Sequence, residues 1–166
     1  MLYLFYILAA VMLLATLLAI TEKHPVHAIV YLVTSFFAMA GIFYLLSAPL
    51  VAMFEVIIYA GAVMVLFMFV IMMLDLGHPD EAHRPALLIW ILPLVLTAVV
   101  LSSVVTAATL RTLHGGSGVE ITARTFATVL FSRYGVAIEI ISMQLLFAVV
   151  GALYLGRKRG SEWSSL

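Results

Sequence analysis

The chain has 166 residues, of which 66% are hydrophobic and 10% charged, with a mean hydropathy of +1.25 and zero formal charge at pH 7. Soluble domains are about 45–50% apolar and about 25% charged, so a soluble globular fold is excluded, and the balanced charge argues against nucleic acid as a partner. The absence of cysteine removes disulfides, thiolate iron–sulfur clusters, zinc ribbons and cysteine nucleophiles together.

Apolar runs of about 20 residues, enough to cross a bilayer at 1.5 Å per residue, occur at 2–20, 27–47, 50–74, 86–110 and 134–156. The sequence therefore predicts an all-α integral membrane protein, one membrane domain over 1–166 with five transmembrane helices. Too little chain remains between the spans for an extramembranous catalytic domain. The first run lacks a basic n-region and is read as a retained helix, not a cleaved signal. Pro25 follows the polar cluster Thr21 to His24, and Pro49 divides a long apolar tract into spans two and three. The connection there is so short that the two spans must be antiparallel neighbours.

Asp75 to Pro85 is a polar loop in which His78, Asp80, Glu81 and His83 are read as solvated residues rather than metal ligands. Pro93 lies inside span four, where a kink is expected. Gly115, Gly116 and Gly118 then precede Phe126, Val129 and Leu130, whose spacing predicts a short amphipathic helix on the membrane surface before span five. One side of the membrane would hold Lys23, Arg84, Arg157, Lys158 and Arg159, and the other Arg111, Arg124 and Arg133. That bias places the C-terminus in the cytoplasm and the N-terminus outside.

Only two of the charged residues fall inside spans, Glu55 and Glu139. A charge at the centre of a membrane helix costs roughly 2.5–3.5 kcal/mol on insertion scales, so intramembrane carboxylates point to proton handling. The competing reading is that both lie near span ends, within reach of headgroups and water. Tyr59 stands four residues after Glu55, on the same face of an α-helix, where a phenol can donate to the carboxylate or bridge to it through water. Gly61 allows close helix approach or a local change of winding. Met64, Met68 and Met72 form a stripe that suits adaptable packing. Small residues at Ala98, Ser102 and Thr106, and at Ala148, Ala152 and Gly156, suit helix contacts. No histidine lies deep in a span, so haem ligation is disfavoured, and no internal repeat supports an inverted-repeat transporter. From the residues alone, a part of a larger membrane assembly and a stand-alone proton or cation transporter or channel both stand.

Residues 25–76 carry a Pro-Val-His-Ala start and the run EVIIYAGAVMVLFMFVIMML. A second block over 130–157 holds Glu139, Ser142, Leu145, Leu146, Ala148, Gly151 and Ala152. These resemble subunit J of bacterial NADH–quinone oxidoreductase, the counterpart of chain 6 of mitochondrial complex I. Ala137 and Ile138 depart from the proline and aromatic residue common in that family, and Gln144 from an apolar position. The resemblance implies a multi-pass subunit of a bacterial-type inner membrane, taking part in proton pumping with no catalytic centre or cofactor of its own. Flavin, iron–sulfur clusters and quinone would belong to partner subunits. The partners implied are the quinone-site subunit, small three-helix subunits and antiporter-like subunits. It also implies a π-bulge near Tyr59 to Val65 whose rewinding opens or closes a water path. Glu55, Tyr59 and Glu139 are then the expected proton pathway, and Gly61, Met64, Val65, Phe67 and Met68 the expected switch and gate.

Overall fold

The computed structural model describes residues 2–74, 87–113 and 122–156, and its regular structure over those residues is entirely helical. The elements are α1 (Leu2–Thr21), α2 (Pro25–Leu45), α3 (Pro49–Met73), α4 (Leu87–Leu113), α5 (Ala123–Arg133) and α6 (Gly135–Gly156). All except α5 are long and apolar enough to cross a membrane. The polar loop from Asp75 to Pro85, with His78, Asp80, Glu81, His83 and Arg84, lies outside the described residues. So do the glycine-rich stretch at Gly115 to Gly118 and the basic cluster of Arg157, Lys158 and Arg159.

Two prolines set the helix starts. Pro25 and Pro49 each open their helix, a position whose N–H has no intrahelical partner to lose. Between α2 and α3 the chain reverses within three residues. Ser47 takes a left-handed φ of 63°. Its N–H donates to the Tyr44 carbonyl at 3.2 Å, and the Ala48 N–H donates to the Phe43 carbonyl at 3.0 Å. This is a Schellman closure with serine where glycine is usual. It satisfies the last carbonyls of α2 and aims α3 back along it.

The first compact unit, Met1–Glu120, contains α1 to α4. Its core joins Leu8, Val11 and Ala15 of α1 to Tyr31 and Ala38 of α2 and to Leu96 and Val100 of α4. Lipid tails are as apolar as leucine, so close packing of small residues, not escape from water, holds such helices together. At Gly41 an added Cβ would lie 3.1 Å from Leu8 Cδ1 and 3.3 Å from Val104 Cγ2, so the missing side chain lets three helices close up. Hydroxyls add to this. Thr16 Oγ1 and Ser35 Oγ are 2.8 Å apart, Ser35 donates to the Met12 carbonyl at 3.2 Å, and Thr34 meets Thr97 at 3.5 Å. Interhelical bonds of this kind contribute about 0.6 kcal/mol each in a membrane.

Helix α4 runs on through Pro93, and Thr97 donates to the Pro93 carbonyl at 2.8 Å. Its buried stripe is Leu96, Val100, Ser103 and Ala107, while Ala98, Ser102 and Thr106 face outward. The packing face therefore differs from the one the small-residue spacing suggests. An apolar helix has no polar face to mark its inside.

The second unit, Ile121–Leu166, contains α5 and α6. Thr122 caps α5, its Oγ1 accepting the Thr125 N–H at 3.5 Å. The predicted short helix before span five thus forms over Ala123–Arg133. Within this unit α6 buries no residue.

Candidate functional site in the third helix

Helix α3 changes winding along its length. It starts as α-helix over Pro49–Phe54, and the Glu55 N–H bonds the Val51 and Ala52 carbonyls. From Glu55 to Val63 it is π-helix, in which each N–H bonds the carbonyl five residues back. The Met64 N–H accordingly reaches the Tyr59 carbonyl as well as that of Gly61, and regular α-helix resumes over Met64–Met73. Nine residues is long for an element that usually occurs as a single-turn bulge. The resemblance pointed to Tyr59 to Val65; the segment begins four residues earlier, at the carboxylate itself.

Glu55 is 6% exposed, and its Oε1 has no hydrogen-bonding partner among the described residues. An unsatisfied buried acceptor costs about 1–3 kcal/mol, and more when charged. Tyr59 does not donate to that oxygen. It is 48% exposed and its ring tilts against Phe36 of α2, with centroids 5.7 Å apart. The extra residue in the π-turn is the reason. The buried line of α3 runs from Ala52 and Glu55 to Ala60 and Met64, a step of five after Glu55 where an α-helix takes three or four.

Beyond the π-segment, Met64 is buried, Met68 and Ile71 are half-buried, and Val65, Phe67 and Met72 are exposed. The three methionines therefore do not share one buried face. Phe67 and Ile71 border a groove of about 270 Å³ between the end of α1 and the start of α2, lined also by Ala19, Pro25 and Ala28. Gly61 is half-buried; a Cβ there would stand 3.1 Å from the Val56 carbonyl oxygen, five residues back. Glycine leaves that backbone contact open. Glu139 belongs to the second unit and is exposed on α6. No group of three or more histidine, aspartate or glutamate residues positioned for a metal occurs among the described residues.

Two features escaped the sequence reading. The hydroxyls of Thr16, Thr34, Ser35 and Thr97 bind helices to one another; Ser and Thr inside apolar spans are the signal that marks them. The Phe36–Tyr59 contact carries no signal in spacing, since it depends on how the Ser47 turn sets α2 against α3.

Among the described residues, five helices apolar and long enough to cross a membrane, one of them π-wound at a buried carboxylate, mark a multi-pass membrane protein. A family model described as NADH-ubiquinone/plastoquinone oxidoreductase chain 6 matches residues 15–155, and the chain belongs to that family. It is 42% identical to NADH-quinone oxidoreductase subunit J of Escherichia coli K12 over 157 residues, covering 93% of this chain and 85% of the relative. The subunit J of Pseudomonas aeruginosa is 40% identical over 164 residues, covering 95% and 98%. That of Rhodobacter capsulatus is 36% identical over 160 residues, covering 91% and 79%.

Proposed function

We propose that this chain is a membrane-arm subunit of a proton-pumping NADH–quinone oxidoreductase, and that it couples quinone reduction to proton translocation by rewinding α3. The observation that carries the reading is the π-wound segment that begins at the buried Glu55, whose Oε1 has no hydrogen-bonding partner among the described residues. Converting π-helix to α-helix removes one residue from the turn and rotates everything beyond it by about 100°. The line now formed by Ala60, Met64, Met68 and Ile71 would be replaced by Tyr59, Val63, Phe67 and Val70. Small and flexible side chains give way to bulkier or branched ones, which opens or closes a path for water.

In this reading Glu55 and Tyr59 belong to the proton pathway, with Glu139 as a further carboxylate on α6. Gly61, Met64, Val65, Phe67 and Met68 form the switch and gate. The chain has no catalytic centre. Lacking cysteine, it offers no thiolate for a cluster, and flavin, iron–sulfur clusters and quinone belong to partner subunits. The partners are the quinone-site subunit, the small three-helix subunits and the antiporter-like subunits, within a bacterial inner membrane. The N-terminus is outside, the C-terminus cytoplasmic, and α5 lies along the membrane surface.

Gly61→Leu in the assembled complex tests this. The larger side chain presses on the Val56 carbonyl in the π form and hinders free exchange between windings. Quinone reduction and pumping should both fall, while electron entry from NADH to an artificial acceptor stays intact. Wild-type pumping in an assembled Gly61→Leu complex would contradict the switch.

A further inference from the structure

We infer that Glu55 and Tyr59 form a latch that is open in the π-wound helix and closes only when α3 rewinds, so that their hydrogen bond stabilises the α-wound state. The inference rests on the switch reading above and adds what holds its second state.

The two residues are four apart, yet the structure keeps them separate. Glu55 lies on the buried line of α3 with Oε1 unsatisfied, and Tyr59 lies on the flank against Phe36. Ala60, 7% exposed, takes the place one turn beyond Glu55. A methyl group there gives the carboxylate nothing to accept from. Glu55 enters the segment with an α-type bond to Val51, and Ala52 is buried beside it in sequence. The N-terminal part of α3 is thus anchored in α-helical register. With that part held, removing the extra residue brings the i+4 side chain, Tyr59, into the place of Ala60.

Rewinding therefore exchanges one set of contacts for another. The π form keeps the Phe36–Tyr59 ring contact and leaves the buried oxygen unpaired. The α form gives up that ring contact and supplies Oε1 with a phenolic donor, a hydrogen bond to a carboxylate being stronger than one between neutral groups. Each form makes one contact at the expense of the other, and such an exchange keeps two windings close in free energy. Tyr59 acts here as a positioning residue that reports on, and biases, the winding.

The test is cryo-EM classification of the whole complex during turnover, in the wild type, with Tyr59→Phe, with Glu55→Gln, and with both. The wild type should contain an α-wound class in which Tyr59 Oη lies within hydrogen-bonding distance of Glu55 Oε1. A hydrogen bond to a charged group is worth about 1.5–3 kcal/mol, so Tyr59→Phe should lower the ratio of α-wound to π-wound particles about tenfold or more. The same substitution in a Glu55→Gln background should lower it less, because the amide oxygen is the weaker acceptor. An α-wound class that keeps its population in Tyr59→Phe, or that holds Tyr59 away from Glu55, overturns the latch and leaves the switch standing. Exclusively π-wound particles in the wild type during turnover overturn both.

Discussion

The two intramembrane carboxylates sit in opposite surroundings. Glu55 is buried at the point where α3 changes winding, on a helix packed against α2 and joined to it by a tight turn. Glu139 is exposed on α6, a helix that buries no residue within its own unit. The same side chain near the start of its helix thus has two physical situations, one fixed by the chain's own packing and one open to whatever surrounds it. Burial, not the mere presence of a charge in a span, separates them.

Packing gives the largest expected difference between the two regions. Gly41→Leu forces a side chain between Leu8 and Val104, an overpacking that costs about 1–3 kcal/mol or more. Blue-native gels should show a clear loss of assembled complex. At Gly151 an added Cβ meets nothing within 4 Å, so Gly151→Leu should assemble at the wild-type level. Equal losses at both glycines would break the comparison, because α6 would then be packed as tightly as the first unit.

The carboxylates themselves come next. Glu55→Gln keeps size and hydrogen bonding but cannot release a proton, and pumping per NADH oxidised should fall to roughly half. Glu139→Gln, at the exposed carboxylate, should lower that ratio less. Measured side by side in membrane vesicles, matching losses would give the two acids equal weight and break the comparison, and silence at Glu55 would reduce it to a buried anchor. The smallest effect belongs to Ser47. Its left-handed φ of 63° costs an L-residue about 1 kcal/mol, so Ser47→Gly should raise the midpoint of detergent-induced unfolding of the purified subunit. A lower midpoint would mean that the serine side chain contributes more than its backbone strain costs.

Span number, the proline-marked helix starts, the sharp turn before Pro49 and the pair of carboxylates within spans, Glu55 and Glu139, were all legible in the sequence, because each follows from a charge, a proline or a run length. Which face of a helix is buried was not. Along α4 the small residues Ala98, Ser102 and Thr106 point outward, and the stripe through Leu96, Val100 and Ala107 points in. Along α3 the three methionines lie in the regular α-helix beyond the π-segment, where steps of four residues drift off one face at 3.6 residues per turn, leaving Met64 buried and Met72 exposed. A helix that is apolar all round carries no moment to reveal its inner face. A change of winding then shifts any face that spacing would assign. For the same reason Tyr59, which shares a face with Glu55 in α-helical spacing, lies off the buried line and against Phe36.

The most direct test of the central claim, that α3 must rewind for coupling, uses the contact that the π form keeps. The chain has no cysteine of its own, so Phe36→Cys and Tyr59→Cys introduce a single pair where the two rings now meet. A short, cleavable thiol cross-linker across that pair holds the π register, and the uncross-linked double variant serves as its own control for loss of the tyrosine. Cross-linking should abolish proton pumping coupled to quinone reduction, and cleavage should restore it to the level of the control. Pumping at the control rate with the cross-link in place would contradict the account.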